Sequence, residues 1–217
     1  MSAQPFTSDD LATLESHLLA SHRLRDRILL VVGTNVGYRI TELLTWTVGQ
    51  VLTREGEVAH EVTVLRSLLK GGSGVHKRSV RNRRTVLNER ARGAVREYLS
   101  SLDYVPMPGE FLFQSREGGN RPVHRVQAHR IWKRLCRACG IDVARVSTHS
   151  LRKIFVGAVY EASGHDLIRT ERIVGHSSPV ITARYLESTQ SELDGLVLGL
   201  AQYPRAAAAA SARALAR

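Results

Sequence analysis

Six residues of this chain have the types and order that suit cleavage of a phosphodiester: Arg39, Lys70, His149, Arg152, His176 and Tyr185. The set holds cations, two imidazoles and a phenol, with no carboxylate cluster beside them. Divalent cations are usually gathered by carboxylate oxygens, so neither a metal site nor a cofactor is expected. The set does suit holding a phosphate and attacking it covalently. A phenol is a competent nucleophile once deprotonated and oriented. Two planar guanidinium forks can clamp the non-bridging oxygens of one phosphate. Lysine and histidine side chains can move the protons.

The local strings sharpen this reading. T-H-S-L-R-K places His149 and Arg152 three apart, which on a helix is one face. In a first turn they also sit where backbone N–H groups attract an anion. Taken alone, the pair is a surface His and Arg at a helix start. Tyr185 ends G-H-S-S-P-V-I-T-A-R-Y-L, nine residues after His176. Taken alone, it is a half-buried tyrosine, but of six tyrosines only this one follows a G-H-x-x box. Arg39 lies between Gly37 and the apolar pair Leu43 and Leu44, so it starts a helix that is anchored in the core. Glu42 is placed to orient Arg39 or a histidine. Lys70 directly precedes a Gly-Gly turn, from which it can reach into a groove and protonate a leaving oxygen. Lys77 is its rival in the same loop. The plainer role for both lysines is attraction to backbone phosphates.

These residues need a scaffold, and composition bounds it. At 217 residues the chain holds one or two domains with a real core. The apolar share is 43%, and no apolar run reaches the roughly 18 residues of a membrane span. The N-terminus has neither a basic n-region nor an apolar h-region, which argues against secretion by that route. Two cysteines, Cys136 and Cys139, exclude a disulfide framework and fit a reducing cytoplasm. Their C-x-x-C spacing lacks a second pair and falls in an apparent helix, so both read as core. The net charge of +11 is concentrated: residues 66–96 carry ten basic residues against the single acid Glu89. A second basic stretch runs from Arg121 to Lys153. Local concentrations of this kind point to a polyanion surface. Lys77, Arg78, Arg81, Arg83, Arg84 and Lys153 are the candidate DNA contacts.

The periodicity predicts a mainly helical chain with one patch of sheet. Thr7 or Ser8 caps a helix lined by Leu11, Leu14, Leu18 and Leu19. Others cover Leu24–Val36, Thr41–Trp46, 89–101 and 124–139, the last stopped by Gly140. Ser147 or Thr148 caps a helix through Ala162; the next spans 167–174, closed by Gly175. Ser178 caps a final helix with Pro179 in first position. The Val-rich segment Glu57–Leu65 and the segment Arg84–Leu87 read as an antiparallel hairpin, with a turn at Lys70–Gly74 and a long basic loop. Trp132 reads as core. The tail 204–217 is Ala/Arg-rich and carries no chemistry.

Five strings, G-x-x-x-G-Y-R-I-T-E-L-L, L-L-K-G-G, T-H-S-L-R-K, V-G-H-S-S and A-R-Y-L, together resemble the catalytic domain of the tyrosine site-specific recombinases, the phage integrase family. The resemblance covers about residues 7–190. It implies a catalytic domain over 1–203 of that α+β fold. Tyr185 then attacks a DNA phosphate, forming a 3′-phosphotyrosyl link and releasing a 5′-hydroxyl. Arg39 and Arg152 stabilise the charge on phosphorus. Lys70 protonates the leaving oxygen, His149 assists proton transfer with Tyr185, and His176 hydrogen-bonds the phosphate. The resemblance also implies double-stranded DNA as partner, a homotetramer on DNA, and a bacterial or phage-encoded protein at the nucleoid. Only 38 residues precede Arg39. The expectation is therefore a chain without the N-terminal core-binding domain usual in the family. The Lys70–Arg84 loop is also longer and more basic than the family's short hairpin. Two other readings share the fold: a type IB topoisomerase-like relaxing enzyme, and a catalytically silent DNA-binding regulator.

Overall fold

The computed structural model describes residues 5–72 and 80–186, together with Asp194 and Leu198. Gly74, Lys77, Arg78 and the tail 204–217 lie outside the described residues. Helix α1 (Ser8–Ala20) starts with a reciprocal cap. The Thr7 hydroxyl accepts the Asp10 amide, and the Asp10 carboxylate accepts the Thr7 amide. Leu14 and Leu18, four apart, turn its buried face inward.

Helix α2 (Leu24–Val36) is the central element. It buries an unbroken run from Ile28 to Gly33 and packs against α1, α5 (Glu89–Ser100) and α7 (Ser150–Ala162). Close approach to α7 depends on Gly33, where a Cβ would lie 2.7 Å from the Leu151 side chain. The chain leaves α2 through Gly37 at φ 64, a left-handed conformation that favours glycine. A Cβ at Gly37 would also collide with the Phe155 ring. This tight exit delivers Arg39 to the start of α3 (Ile40–Leu43), followed by α4 (Val48–Val51).

Strands β1 (Glu61–Val64) and β2 (Arg83–Val86) pair antiparallel, with Val62 opposite Thr85 and Val64 opposite Arg83. The first strand is shorter than the 57–65 pattern predicts. Val58 is drawn to α4 instead, bridging Leu52, and the Ala59 amide donates to Val51. Beyond Val64 the backbone tightens into a 3-10 turn over Arg66–Leu68. The second strand begins at Arg83 rather than Arg84, and its ladder still reaches Leu87, whose amide donates to His60.

Asn88 caps α5, and His124 caps α6 (Arg125–Ala138), which Gly140 ends at φ 70. The buried face of α6 is Ala128, Ile131, Trp132, Leu135 and Cys136, so the C-x-x-C pair serves packing. Burial pushes the Cys136 thiol up to about 11, which keeps it protonated and inert. Helix α7 starts later than the sequence predicts. The Ser147 hydroxyl accepts the His149 amide, but His149 itself occupies the cap position and Ser150 is the first helical residue. Asp166 caps α8 (Leu167–Val174), closed by Gly175 at φ 69. Ser178 caps α9 (Pro179–Ala183), with proline at the first turn as expected. The result is a mainly helical fold with a two-stranded antiparallel sheet. Among the described residues no helix is long and apolar enough to cross a membrane.

Candidate active site

Two glycine exits and one helix start bring five of the six predicted residues towards one place, and the Lys70 turn is tied to them through Glu42. The Gly37 exit presents Arg39, the start of α7 presents His149 and Arg152, and the Gly175 exit presents His176 ahead of Tyr185. A cleft of about 600 Å³ runs along this region. Arg39, Glu42, Lys70, Arg83, Arg172 and His176 are among the residues that line it.

Glu42 is the organiser of the first wall. It is only 2% exposed. Its Oε2 accepts the Arg39 amide at 2.9 Å, and its Oε1 accepts Arg39 Nη1 at 3.0 Å. The Lys70 amide also donates to Oε1, at 3.3 Å. One carboxylate therefore fixes the orientation of Arg39 and ties the Lys70 turn to α3. The expectation that Glu42 orients Arg39 or a histidine resolves in favour of Arg39.

Arg152 is 1% exposed. Its Nη1 donates to the Gly37 carbonyl. Its Nε and Nη2 have no hydrogen-bond partner among the described residues. A buried donor edge of this kind is costly unless an acceptor meets it, and a phosphate oxygen pair matches the fork. Burial, with Arg39 and Arg83 nearby, lowers its pKa to about 10. The side chain still carries its charge at neutral pH.

Tyr185 sits at the convergence of these walls. Its hydroxyl lies 3.4 Å from His149 Nδ1. Its ring is 5.0 Å from the His176 ring and 5.7 Å from the Arg152 guanidinium carbon. Burial lowers the His149 pKa, and Arg152, Arg39, Arg125 and Lys70 push it in the same direction. A neutral imidazole beside a phenol can accept its proton. His176 is pushed down further, to about 3, by burial and then by Arg152, Arg39 and Arg83. Its Nδ1 is 2.9 Å from the Thr182 hydroxyl, while its Nε2 has no partner among the described residues. A neutral His176 can thus offer one nitrogen to a ligand while Thr182 holds the other.

The predicted DNA contacts separate by position. Arg81 is exposed, and Arg84 is exposed and paired with Glu61. Both lie along the cleft. Lys153 is half-buried on α7. Arg83 departs from the outward placement expected of a backbone contact: it is largely buried against Tyr38 and the end of α2. Sequence reasoning missed Thr182, Arg172 and the Gly37 carbonyl. Thr182 carries no signal beyond its place on α9, and a backbone acceptor has none.

Comparison with known proteins bears on the family and the fold. The model of the phage integrase family matches residues 5–192. A Bacillus subtilis (strain 168) protein described as "Probable integrase/recombinase YoeC" is 28% identical over 184 residues, covering 84% of this chain and 88% of that protein. "Tyrosine recombinase XerD" of Xanthomonas axonopodis pv. citri (strain 306) is 30% identical over 178 residues. That match covers 80% of this chain and 54% of the relative, so the chain spans about half the length of XerD. Among solved structures, XerA recombinase superposes with a TM-score of 0.66 at 21% identity, covering 94% of this chain and 65% of that one. The catalytic domain of bacteriophage HP1 integrase gives 0.52 at 18% identity, with 90% and 94% covered. The chain belongs to the phage integrase family, and its fold is that of the tyrosine recombinase catalytic domain.

Proposed function

We propose that the protein cleaves and rejoins double-stranded DNA at a specific site through a phosphotyrosyl intermediate. The observation that carries this reading is the placement of the Tyr185 hydroxyl 3.4 Å from His149 Nδ1, beside the open donor edge of buried Arg152. In this reading Arg152 and Arg39 hold the non-bridging oxygens of the scissile phosphate. Tyr185 attacks phosphorus as His149 takes the phenolic proton. A bond forms between the Tyr185 oxygen and phosphorus, and the bond to the 5′-oxygen breaks. Lys70 supplies the proton to that leaving oxygen, and His176 donates a hydrogen bond to the phosphate through Nε2. Fixed cations placed where charge develops lower the barrier without reorganisation at the moment of reaction. The phosphotyrosine keeps the energy of the broken bond, so the 5′-hydroxyl can reverse the step without ATP.

Arg81, Arg84 and Lys153, with Lys77 and Arg78, hold the backbone of the duplex. Exchange of strands between two sites requires several active sites together, so the acting form is a homotetramer on DNA at the bacterial nucleoid. In this reading the catalytic domain extends over 1–203. A substrate nicked just beyond the scissile phosphate tests the chemistry, because loss of the short leaving strand traps the covalent state. A denaturant-stable protein–DNA adduct is expected with the intact protein and none with Tyr185→Phe, which removes only the attacking oxygen. An adduct that persists in Tyr185→Phe reassigns the nucleophile.

A further inference from the structure

Arg83 opens β2, and the register places it opposite Val64 while Thr85 stands opposite Val62. Val62 and Val64 are buried, whereas Arg84 and Val86 face solvent. The inner face of the hairpin therefore carries an arginine. Tyr38 packs on that face. Its hydroxyl donates to the Arg83 carbonyl at 2.8 Å and accepts from the Thr85 hydroxyl at 3.2 Å. The Arg83 guanidinium lies 4.0 Å over the Tyr38 ring centroid. Its Nη2 donates to the Val36 carbonyl at 3.1 Å and its Nη1 to the Gly37 carbonyl at 3.4 Å.

The Gly37 carbonyl is also the acceptor for Arg152 Nη1. One oxygen thus joins the two guanidiniums. On its other side Arg83 meets the turn before His176. A Cβ at Gly175 would lie 3.1 Å from Arg83 Nε. Arg83 contacts the chain immediately before Arg39, shares an acceptor with Arg152, and backs the residue before His176. Its hydrogen-bond partners among the described residues are carbonyls, and its guanidinium stacks on a ring. The Glu42 carboxylate favours its charge from a distance while Arg39 opposes it, so a largely buried cation stands without a direct ion pair among the described residues. Such a placement costs stability, and a hydrophobic residue would fill the space more cheaply.

We propose that Arg83 is a positioning residue for strand cleavage. It fixes the Gly37 carbonyl, and through it the open edge of Arg152, while holding the Gly175–His176 turn at the right distance. The inference rests on the recombinase reading above. It assigns Arg83 to the geometry of the catalytic set and not to a phosphate of the DNA backbone. The two roles differ in what they make measurable. A backbone contact contributes about 0.9 to the log–log slope of affinity against salt. A positioning residue leaves that slope alone and slows the step on bound DNA. Lysine keeps the charge but cannot donate to two carbonyls from a stacked plane.

The test is single-turnover adduct formation on the nicked duplex at saturating protein. It compares the intact protein with Arg83→Lys, Arg83→Met, Arg152→Lys and the double variant Arg83→Lys/Arg152→Lys, alongside salt-dependent DNA binding and thermal unfolding of each. Arg83→Lys is expected to bind DNA with an unchanged salt slope and to cleave on the order of 100-fold more slowly, the scale of a small misplacement in an active site. In the Arg152→Lys background the same change is expected to cost less than about threefold, because coupled residues are not additive. Wild-type cleavage by Arg83→Lys overturns the proposal, as do fully multiplicative losses. A slope reduced by about 0.9 with cleavage at saturation unchanged makes Arg83 a backbone contact. If both Arg83 variants unfold, Arg83 is only a structural joint between β2 and α2, and the proposal falls. Absence of any adduct from the intact protein instead removes the recombinase reading itself.

Discussion

The Tyr185 hydroxyl and His149 Nδ1 stand 3.4 Å apart although 36 residues separate them in the chain. Helix α8 and the Gly175 turn bring them together, and in the proposed mechanism the pairing gives His149 a proton to receive. The His149 pKa lies below the ordinary 6.5, chiefly through burial, so the ring is neutral at pH 7. It charges only at a lower pH than an ordinary imidazole requires. Adduct formation on bound DNA is therefore expected to decline on acidification, with a midpoint below that of an ordinary histidine. His149→Gln should remove that acid limb and slow cleavage by about 10²–10⁴ at pH 7. An acid limb retained in the variant assigns it to another group. Single-turnover rates across pH at saturating protein make the comparison.

Arg152 separates stability from activity. Its guanidinium is 1% exposed with two nitrogens unpartnered among the described residues. Replacing a buried charge by an apolar side chain of similar reach is often neutral or stabilising. Arg152→Met is thus expected to match or exceed the parent Tm while losing roughly 10²–10³ in adduct formation, the scale of one lost donor to a developing oxyanion. A clear fall in Tm shows that Arg152 holds the fold through its bond to Gly37. Calorimetry and the nicked-duplex assay on one preparation decide it.

What the sequence made legible follows from where the signal is local. Thr7 and Ser178 are readable as caps just ahead of helical patterns, and α1 and α9 begin beside them, whereas Asn88 and Asp166 cap helices that only the periodicity marks. Of the six candidate residues, Arg39, Lys70 and His176 line one cleft, and Tyr185 is in contact with His149 and His176, with the Arg152 guanidinium facing its ring. Side-chain direction in the hairpin was not legible. Alternation in R-R-T-V favours Val86 inside, yet Val86 is 61% exposed and Arg83 faces inward. The deciding contact is Tyr38, 45 residues away, whose ring and hydroxyl accommodate Arg83 and Thr85. A run rich in arginine also hides which member turns in, since charge density is blind to direction. The Thr182 partner of His176 was hidden for the same reason: a pairing across a turn leaves no trace in spacing.

His176 and Thr182 make the second pH prediction. The His176 pKa is lowered from 6.5 to about 3, burial being the main cause. The unfolded chain then binds more protons at this position between those two values. Stability is expected to fall as pH drops from about 6.5 towards 3, and His176→Phe should flatten that fall. Denaturant unfolding at stepped pH measures it, and an equal slope in the variant places the acid sensitivity elsewhere. Thr182→Val frees Nδ1, so the tautomer presenting an Nε2 proton is no longer selected. Slower cleavage with unchanged DNA affinity is the expected result.

Lys70 is argued to be the general acid rather than Lys77. Its amide is tied to Glu42 Oε1, the same oxygen that orients Arg39, so its backbone is held within the active site. It also lines the cleft and adds to the positive charge felt at His149. Protonation of the leaving 5′-oxygen matters because an alkoxide departs poorly, whereas a thiolate departs with little help. A duplex with sulfur at that bridging position therefore bypasses the acid. Lys70→Ala is expected to cleave the oxygen duplex about 10²–10⁴ more slowly than the parent and the sulfur duplex at nearly the parental rate. Lys77→Ala should treat the two duplexes alike, with any loss appearing in DNA affinity and its salt dependence. Rescue by sulfur in Lys77→Ala but not in Lys70→Ala reverses the two assignments. A slow rate on both duplexes in Lys70→Ala gives Lys70 a role in holding the phosphate instead, since a better leaving group cannot restore a misplaced one.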